Sequence, residues 1–196
     1  MVKTAVFVSG SGTNLQALIA GVQDGSIKNC DLALVVSSKA DAYALTRAQV
    51  AGIDAVVCEK KGVPREEYDQ KILKLLQDND IEFIVLAGFL HIFGADFFKS
   101  FHGRIINVHP SLIPSFCGKG FYGLKVHEAA LAYGVKLSGA TVHFVNEVTD
   151  GGEIILQKAV RILPGDTPEK LQKRIMKQAE QKILPQAVSL ICENKI

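Results

Sequence analysis

Short apolar, β-branched runs alternate with segments of helical period through the first half of the chain, which predicts a mostly parallel sheet covered by helices. The strand candidates are Thr4 to Val8, Leu32 to Val36, Ala55 to Cys58, Phe83 to Ala87 and Ile105 to Val108. Helices are expected between them near Asn14 to Val22, Asp41 to Ala51 and Pro64 to Asp78. In the third helix Tyr68, Ile72, Leu75 and Leu76 form one apolar stripe for the sheet, and Arg65, Glu66, Asp69 and Lys71 are expected to stay in water.

The second half changes character. Ala140 to Val145 and Ile154 to Val160 flank the turn-rich stretch Asn146 to Gly152, a hairpin signal rather than a crossover, so the sheet is predicted to be mixed. Thr167 as N-cap and Pro168 at the first helical position open a late helix, with Leu171, Ile175, Ala179 and Ile183 on one face. Pro185 is predicted to end or kink it. No repeat, low-complexity stretch or linker divides the chain, so residues 1–196 are read as a single-domain, Rossmann-like α/β fold with a mostly parallel, mixed central sheet flanked by helices.

With 196 residues, of which 48% are apolar, the chain can build a substantial core. A charged fraction of 21% and a net charge of +2 lack the electrostatic footprint of a nucleic-acid or membrane-surface binder, so small molecules are the expected partners. The N-terminal apolar run, Val2 to Val8, is too short for a signal peptide or a membrane span. Cys30, Cys58, Cys117 and Cys192 form no CxxC pair and read as reduced thiols of a cytoplasmic protein, none of them catalytic. His102, His127 and His143 show no metal-ligand spacing, and no HExxH motif is present, so no metal is expected.

Ser9-Gly10-Ser11-Gly12-Thr13-Asn14 joins the first strand to the first helix, where free backbone N–H groups and the helix dipole favour an anion. It is not a dinucleotide fingerprint, because Leu15 stands where the third glycine belongs, and it lacks the Gly-Lys-Ser/Thr ending of a Walker A loop. A phosphate monoester is the better ligand. A tight turn that needs glycine and binds nothing fits the same residues.

Asn107 and His109 stand at i and i+2, so a strand running through them projects both from one side of its C-terminal end, with Val108 facing the core. An amide donor and an imidazole suit oxyanion stabilisation and proton transfer. Asp150, in Thr149-Asp150-Gly151-Gly152, is a good turn residue. Brought close to His109, its carboxylate would also orient the ring and favour its charged form. No serine or cysteine nucleophile lies in an activating context beside them, which points to direct transfer between two substrates.

These motifs carry a resemblance. Ser9 to Gln16, Val85-Leu86-Ala87-Gly88-Phe89, Asn107-Val108-His109-Pro110-Ser111-Leu112-Ile113-Pro114, and His143-Phe144-Val145 through Asp150-Gly151-Gly152 occur in the order and spacing of the folate-dependent phosphoribosylglycinamide formyltransferases, which the chain resembles over nearly its whole length. The resemblance implies transfer of a formyl group from 10-formyltetrahydrofolate, as cosubstrate, to the amine of glycinamide ribonucleotide in purine biosynthesis. Asn107 and protonated His109 would stabilise the tetrahedral intermediate, and Asp150 would keep His109 charged and oriented.

The resemblance further assigns Gly12, Thr13 and Asn14 to the ribonucleotide phosphate, with Glu180 and Lys177 of the late helix as ribonucleotide contacts. Composition alone would read that stretch as a solvated helix face. For the folate it assigns Arg65, the segment Leu90, His91, Ile92 and Phe93, Asn107, and the loop Asn146, Glu147, Val148, Thr149 and Asp150. His91 stands where many members carry arginine, and the stretch Phe116 to Gly123 differs from the corresponding family loop. The N-terminal half is thus expected to bind the ribonucleotide phosphate, the C-terminal half to bind folate and carry the catalysis, and the protein to be a monomer or weak homodimer. A formyltetrahydrofolate deformylase, a methionyl-tRNA formyltransferase and an inactive folate- or phosphate-binding protein share parts of this pattern. The chain length, the near-neutral charge and the intact Asn107, His109 and Asp150 favour transfer to a small phosphorylated amine.

Overall fold

A computed structural model describes residues 1–196 and shows one seven-stranded sheet in the order β3-β2-β1-β4-β5-β6-β7. The strands are β1 (Val2–Val8), β2 (Cys30–Ser37), β3 (Asp54–Val57), β4 (Phe83–Leu86), β5 (Arg104–His109), β6 (Leu137–Phe144) and β7 (Ile154–Arg161). β1 to β5 pair in parallel, whereas β6 runs antiparallel to both β5 and β7. All the strands expected from the apolar runs are present, and the predicted hairpin is the β6–β7 pair.

Alternation along the strands sorts side chains into two cores. Val6, Val8, Phe83, Val85, Ile106 and Val108 point to a layer formed with α1 (Thr13–Gln23) and the late helices, while Ala5, Phe7, Ile84, Leu86 and Ile105 point to a layer under α3 (Arg65–Asp78) and α4 (Ala95–Ser100). α1 contributes Leu15, Leu18 and Ile19, a spacing of i, i+3 and i+4 that keeps one helical face on the sheet. α2 (Tyr43–Val50) buries only Ala44 and Ala48, which lets it lie close to the glycine loop. No helix is long and apolar enough to cross a membrane.

On α3 the stripe of Tyr68, Ile72 and Leu76 is buried as expected, but Asp69 is buried with it. Its carboxylate accepts a hydrogen bond from His91 Nε2 at 2.6 Å and another from the Gly94 N–H at 2.8 Å, partners that helical periodicity cannot reveal. α4 and α5 (Leu124–Tyr133) are helices that the periodicity analysis leaves out. The first has six residues and the second follows a glycine-rich loop, so neither presents a long periodic window. Gly134, in the left-handed region at φ 81°, closes α5.

The late helix begins as predicted, with Thr167 Oγ1 accepting from the Lys170 N–H and Pro168 in the first turn of α6 (Pro168–Ile175). The winding then widens to a π-helical segment, Met176–Glu180, before α7 (Gln181–Cys192). Pro185 does not end this helix. The change of winding lies upstream of it, and Ala187, Val188 and Ile191 beyond it are buried against the sheet, so packing holds the helix through the missing N–H.

Candidate active site

A cleft of about 660 Å³ opens at the C-terminal ends of β1, β4 and β5, the edge at which open α/β sheets hold ligands. Within β5, Asn107 and His109 share one face, and Val108 turns into the core between them, as the period-two reading required. Antiparallel pairing sets Asn107 opposite His143 and His109 opposite Thr141, so the β6 residues project on the same side. Asn107 Nδ2 lies 3.3 Å from His143 Nε2, and His143 Nδ1 lies 2.7 Å from the Phe144 carbonyl. The carbonyl can only accept, so Nδ1 carries a proton, while Nε2 faces the Asn107 amide. The second amide hydrogen of Asn107 remains for the cleft.

Asp150 reaches this group from the loop after β6. Asn146 Oδ1 accepts from the Val148 N–H at 2.9 Å, the Gly151 N–H bonds the Val148 carbonyl at 3.0 Å, and Asp150 itself takes a left-handed conformation at φ 55°, which aspartate tolerates. A Cβ on Gly152 would stand 1.7 Å from the Phe144 carbonyl oxygen, so only glycine lets the loop return so close to β6. The result places Asp150 Oδ2 3.6 Å from His109 Nδ1 and Asp150 Oδ1 3.6 Å from His143 Nε2. The Gly118 N–H donates to Asp150 Oδ2 at 2.8 Å. Burial by itself pushes the Asp150 carboxyl up, but the adjacent His143, the Gly118 N–H and the nearby His109 outweigh it and hold the group below its ordinary value. Asp150 is therefore an anion near neutral pH.

His109 Nε2 lies 2.9 Å from the carbonyl of Phe116, a residue held at φ 51°. Both ring nitrogens thus face acceptors, an arrangement that the doubly protonated ring satisfies in full. Behind it His127, from α5, is fully buried, lines the cleft, and has no partner for either ring nitrogen. Burial, followed by the neighbouring His109, lowers its pKa to about 4, so it stands as a neutral ring.

The far end of the cleft is the glycine loop. Gly12 occupies the N-cap of α1 at φ 69°, with no side chain capping the first-turn N–H groups. A Cβ there would lie 2.6 Å from Ala44 Cβ, so both the conformation and the packing of α2 require glycine. Arg47 of α2 donates through Nε to the Ser11 carbonyl at 2.9 Å and steadies the loop from outside. Thr13 Oγ1 bonds Met176 Sδ at 2.8 Å, and Asn14 Nδ2 donates to Glu180 Oε2, also at 2.8 Å. Glu180 is buried, and burial raises its pKa, only partly offset by the Asn14 bond. The π-helical winding carries it into the cleft from a stretch whose composition suggests a solvated face.

Of the remaining predicted residues, Leu90, Ile92, Asn146, Val148 and Thr149 line the cleft, as do His91 and Phe93. Lys177 is exposed and, like Glu147 and Arg65, lies outside the lining. Arg65 instead sits in the first turn of α3 beside Glu66, with Nη2 at 3.4 Å from the Glu66 carboxylate. His143, Arg47 and Met176 were not singled out from sequence. His143 gains its place only from strand register, and the other two from helix packing. No group of three His, Cys, Asp or Glu side chains is arranged to hold a metal ion.

A Rossmann-like sheet with an amide, an imidazole and a buried carboxylate converging at its carboxyl edge has the groups that acyl transfer uses. In keeping with that, the formyl transferase family matches residues 2–188, and the chain belongs to it. It is 41% identical to the chloroplastic phosphoribosylglycinamide formyltransferase of Arabidopsis thaliana, over 99% of this chain and 66% of that protein. It is 40% identical to the phosphoribosylglycinamide formyltransferase of Haemophilus influenzae, over 100% of this chain and 90% of that protein. Among solved structures, the glycinamide ribonucleotide transformylase 1 of Symbiobacterium toebii superposes with a TM-score of 0.91 at 41% identity, over 99% of this chain and 89% of that one. The chain thus spans slightly less than two thirds of the Arabidopsis relative.

Proposed function

We propose that the protein transfers the formyl group of 10-formyltetrahydrofolate to the amine of glycinamide ribonucleotide, a step of purine biosynthesis. The observation that carries this reading is the convergence of Asn107, His109 and Asp150 in one cleft with the uncapped N-terminus of α1. The likeness to phosphoribosylglycinamide formyltransferases supports the choice of both substrates.

In this reading the substrate amine attacks the formyl carbon, giving a tetrahedral intermediate whose oxyanion takes hydrogen bonds from Asn107 and from His109. The bond from the formyl carbon to the folate nitrogen then breaks, and a proton from the attacking amine passes to that nitrogen. Asp150, 3.6 Å from His109 Nδ1, keeps the ring oriented. His109 Nε2 reaches the oxyanion when the substrate oxygen replaces the Phe116 carbonyl as its acceptor. Holding both substrates together contributes much of the acceleration, since effective molarity is worth roughly 7 to 11 kcal/mol.

The backbone of Gly12, Thr13 and Asn14 receives the ribonucleotide phosphate, and Glu180 supplies an acceptor for its polar groups. Leu90 to Phe93 face Asn146, Val148, Thr149 and Asp150 as the two walls of the folate subsite, with Arg65 and Glu147 as its outer contacts, and Lys177 is an outer contact of the ribonucleotide. In this reading the two halves of the chain interleave at the cleft: Arg65 and Leu90 to Phe93, from the first half, join the folate side, and Glu180, from the second, joins the ribonucleotide side. The four free thiols fit a reducing compartment such as the cytoplasm.

The test is formation of formylated glycinamide ribonucleotide by the purified protein from both substrates, with His109→Ala and Asp150→Asn as controls. Product formation that falls by at least about a hundredfold in each variant is the expected result. Release of formate without transfer would instead assign a deformylase, and ligand binding with no turnover would overturn the enzymatic reading.

A further inference from the structure

Between β4 and α4 the chain runs along the cleft with alternating orientation. Leu90 and Ile92 are 62% and 53% exposed, whereas Phe89 and Phe93 are buried on either side of His91. The His91 side chain is only 3% exposed, with its ring centroid 4.7 Å from that of Tyr68 and 5.0 Å from that of Phe93, both edge-on. His91 is thus the one polar anchor in an otherwise apolar row.

That anchor ends on Asp69 of α3. Asp69 Oδ1 accepts from His91 Nε2 at 2.6 Å, and Oδ2 accepts from the backbone N–H of Gly94 at 2.8 Å. One carboxylate therefore ties both the middle and the end of the cleft-facing segment to a helix that itself makes no wall of the cleft. Because a carboxylate only accepts, Nε2 carries the proton, and the buried Nδ1 has no partner. The imidazole is almost wholly covered, so the geometry it enforces falls on the backbone that carries Leu90 and Ile92.

We propose that Asp69 and His91 are a positioning pair that sets the backbone from Leu90 to Ile92, and through it the affinity for the folate donor rather than for the phosphorylated amine. This rests on the folate-subsite reading above. The pair is charge-assisted and buried, the class of hydrogen bond whose loss is expected to cost about tenfold in an equilibrium that depends on it.

The experiment compares the wild type with His91→Leu, which removes the donor, and His91→Gln, whose amide nitrogen reaches about as far as Nε2. Tetrahydrofolate binding is measured by titration without turnover, and the KM values for donor and amine are measured separately. The expected result is a rise of about tenfold in the donor KM and in the tetrahydrofolate Kd for His91→Leu. The amine KM should stay within about twofold, and His91→Gln should recover most of the loss. Equal changes in both KM values, an unchanged Kd in His91→Leu, or failure of His91→Gln to rescue a folded protein would each overturn the positioning role. If the wild type itself fails to bind tetrahydrofolate, the functional reading fails first, and the two failures are told apart.

Discussion

His143 Nε2 stands 3.6 Å from Asp150 Oδ1, on the side of the carboxylate away from His109, so one aspartate is shared by two imidazoles. His143 is one of the partners that hold the Asp150 carboxyl low. Removing it in His143→Ala is expected to move the acid limb of the kcat–pH profile upward, as the carboxyl regains part of the value that burial favours. The loss in kcat should be about tenfold, smaller than the 10²–10⁴ range associated with losing a proton-transfer group outright, as in Asp150→Asn. Steady-state rates across pH check both statements, and an unshifted acid limb would remove His143 from the site.

Glu180 gives a stability prediction of opposite sign. Its pKa is raised by burial, so its contribution is complete below the ordinary carboxyl range and is lost as pH rises through the folded-state value. Glu180→Gln keeps an acceptor for Asn14 but cannot ionise. Chemical denaturation should therefore find the variant more stable than wild type near pH 8 and the difference shrinking toward pH 5. The same variant is expected to raise the KM for the amine substrate, a trade of stability for binding.

Gly12→Ala combines a left-handed φ with a Cβ placed against Ala44. A cost of about 1 to 3 kcal/mol is expected from the strained conformation alone. Urea unfolding measures it. Because α1 must shift to relieve the clash, phosphate affinity should fall with stability, whereas Gly10→Ala, with open space around its position, should leave stability nearly unchanged.

His127 should make the fold sensitive to mild acid. The unfolded chain binds a proton near the ordinary histidine value of 6.5, and the folded chain only near 4, so stability falls as pH drops through that interval. His127→Leu removes the titration and two unpartnered polar atoms together. Its unfolding free energy should lose this component of the pH slope between 6.5 and 4 and be no lower than wild type at pH 5.

Much of this architecture is visible before folding. Parallel strands covered on both faces read as continuous apolar runs, which is why β1, β2, β4 and β5 stand out, and period two alone put Asn107 and His109 on one face. What stayed hidden depends on groups distant in sequence. Asp69 looks solvent-facing until His91 and Gly94 arrive from another connection. Glu180 looks like a surface charge because an α-helical wheel does not include the π-helical turn that redirects it. His143 lies within a quoted motif, but its place beside Asn107 comes only from standing opposite it across two strands.

That register has a further consequence. Asn107 and His143 keep their mutual placement through the same ladder that joins β5 to β6, and Asp150 is reached by a loop that starts where β6 ends. A slip of one residue in this pairing would turn His143 to the face opposite Asn107 and carry the aspartate loop with it. The reactive geometry and the cohesion of the sheet are therefore inherited together: second-site changes that repair one should repair the other.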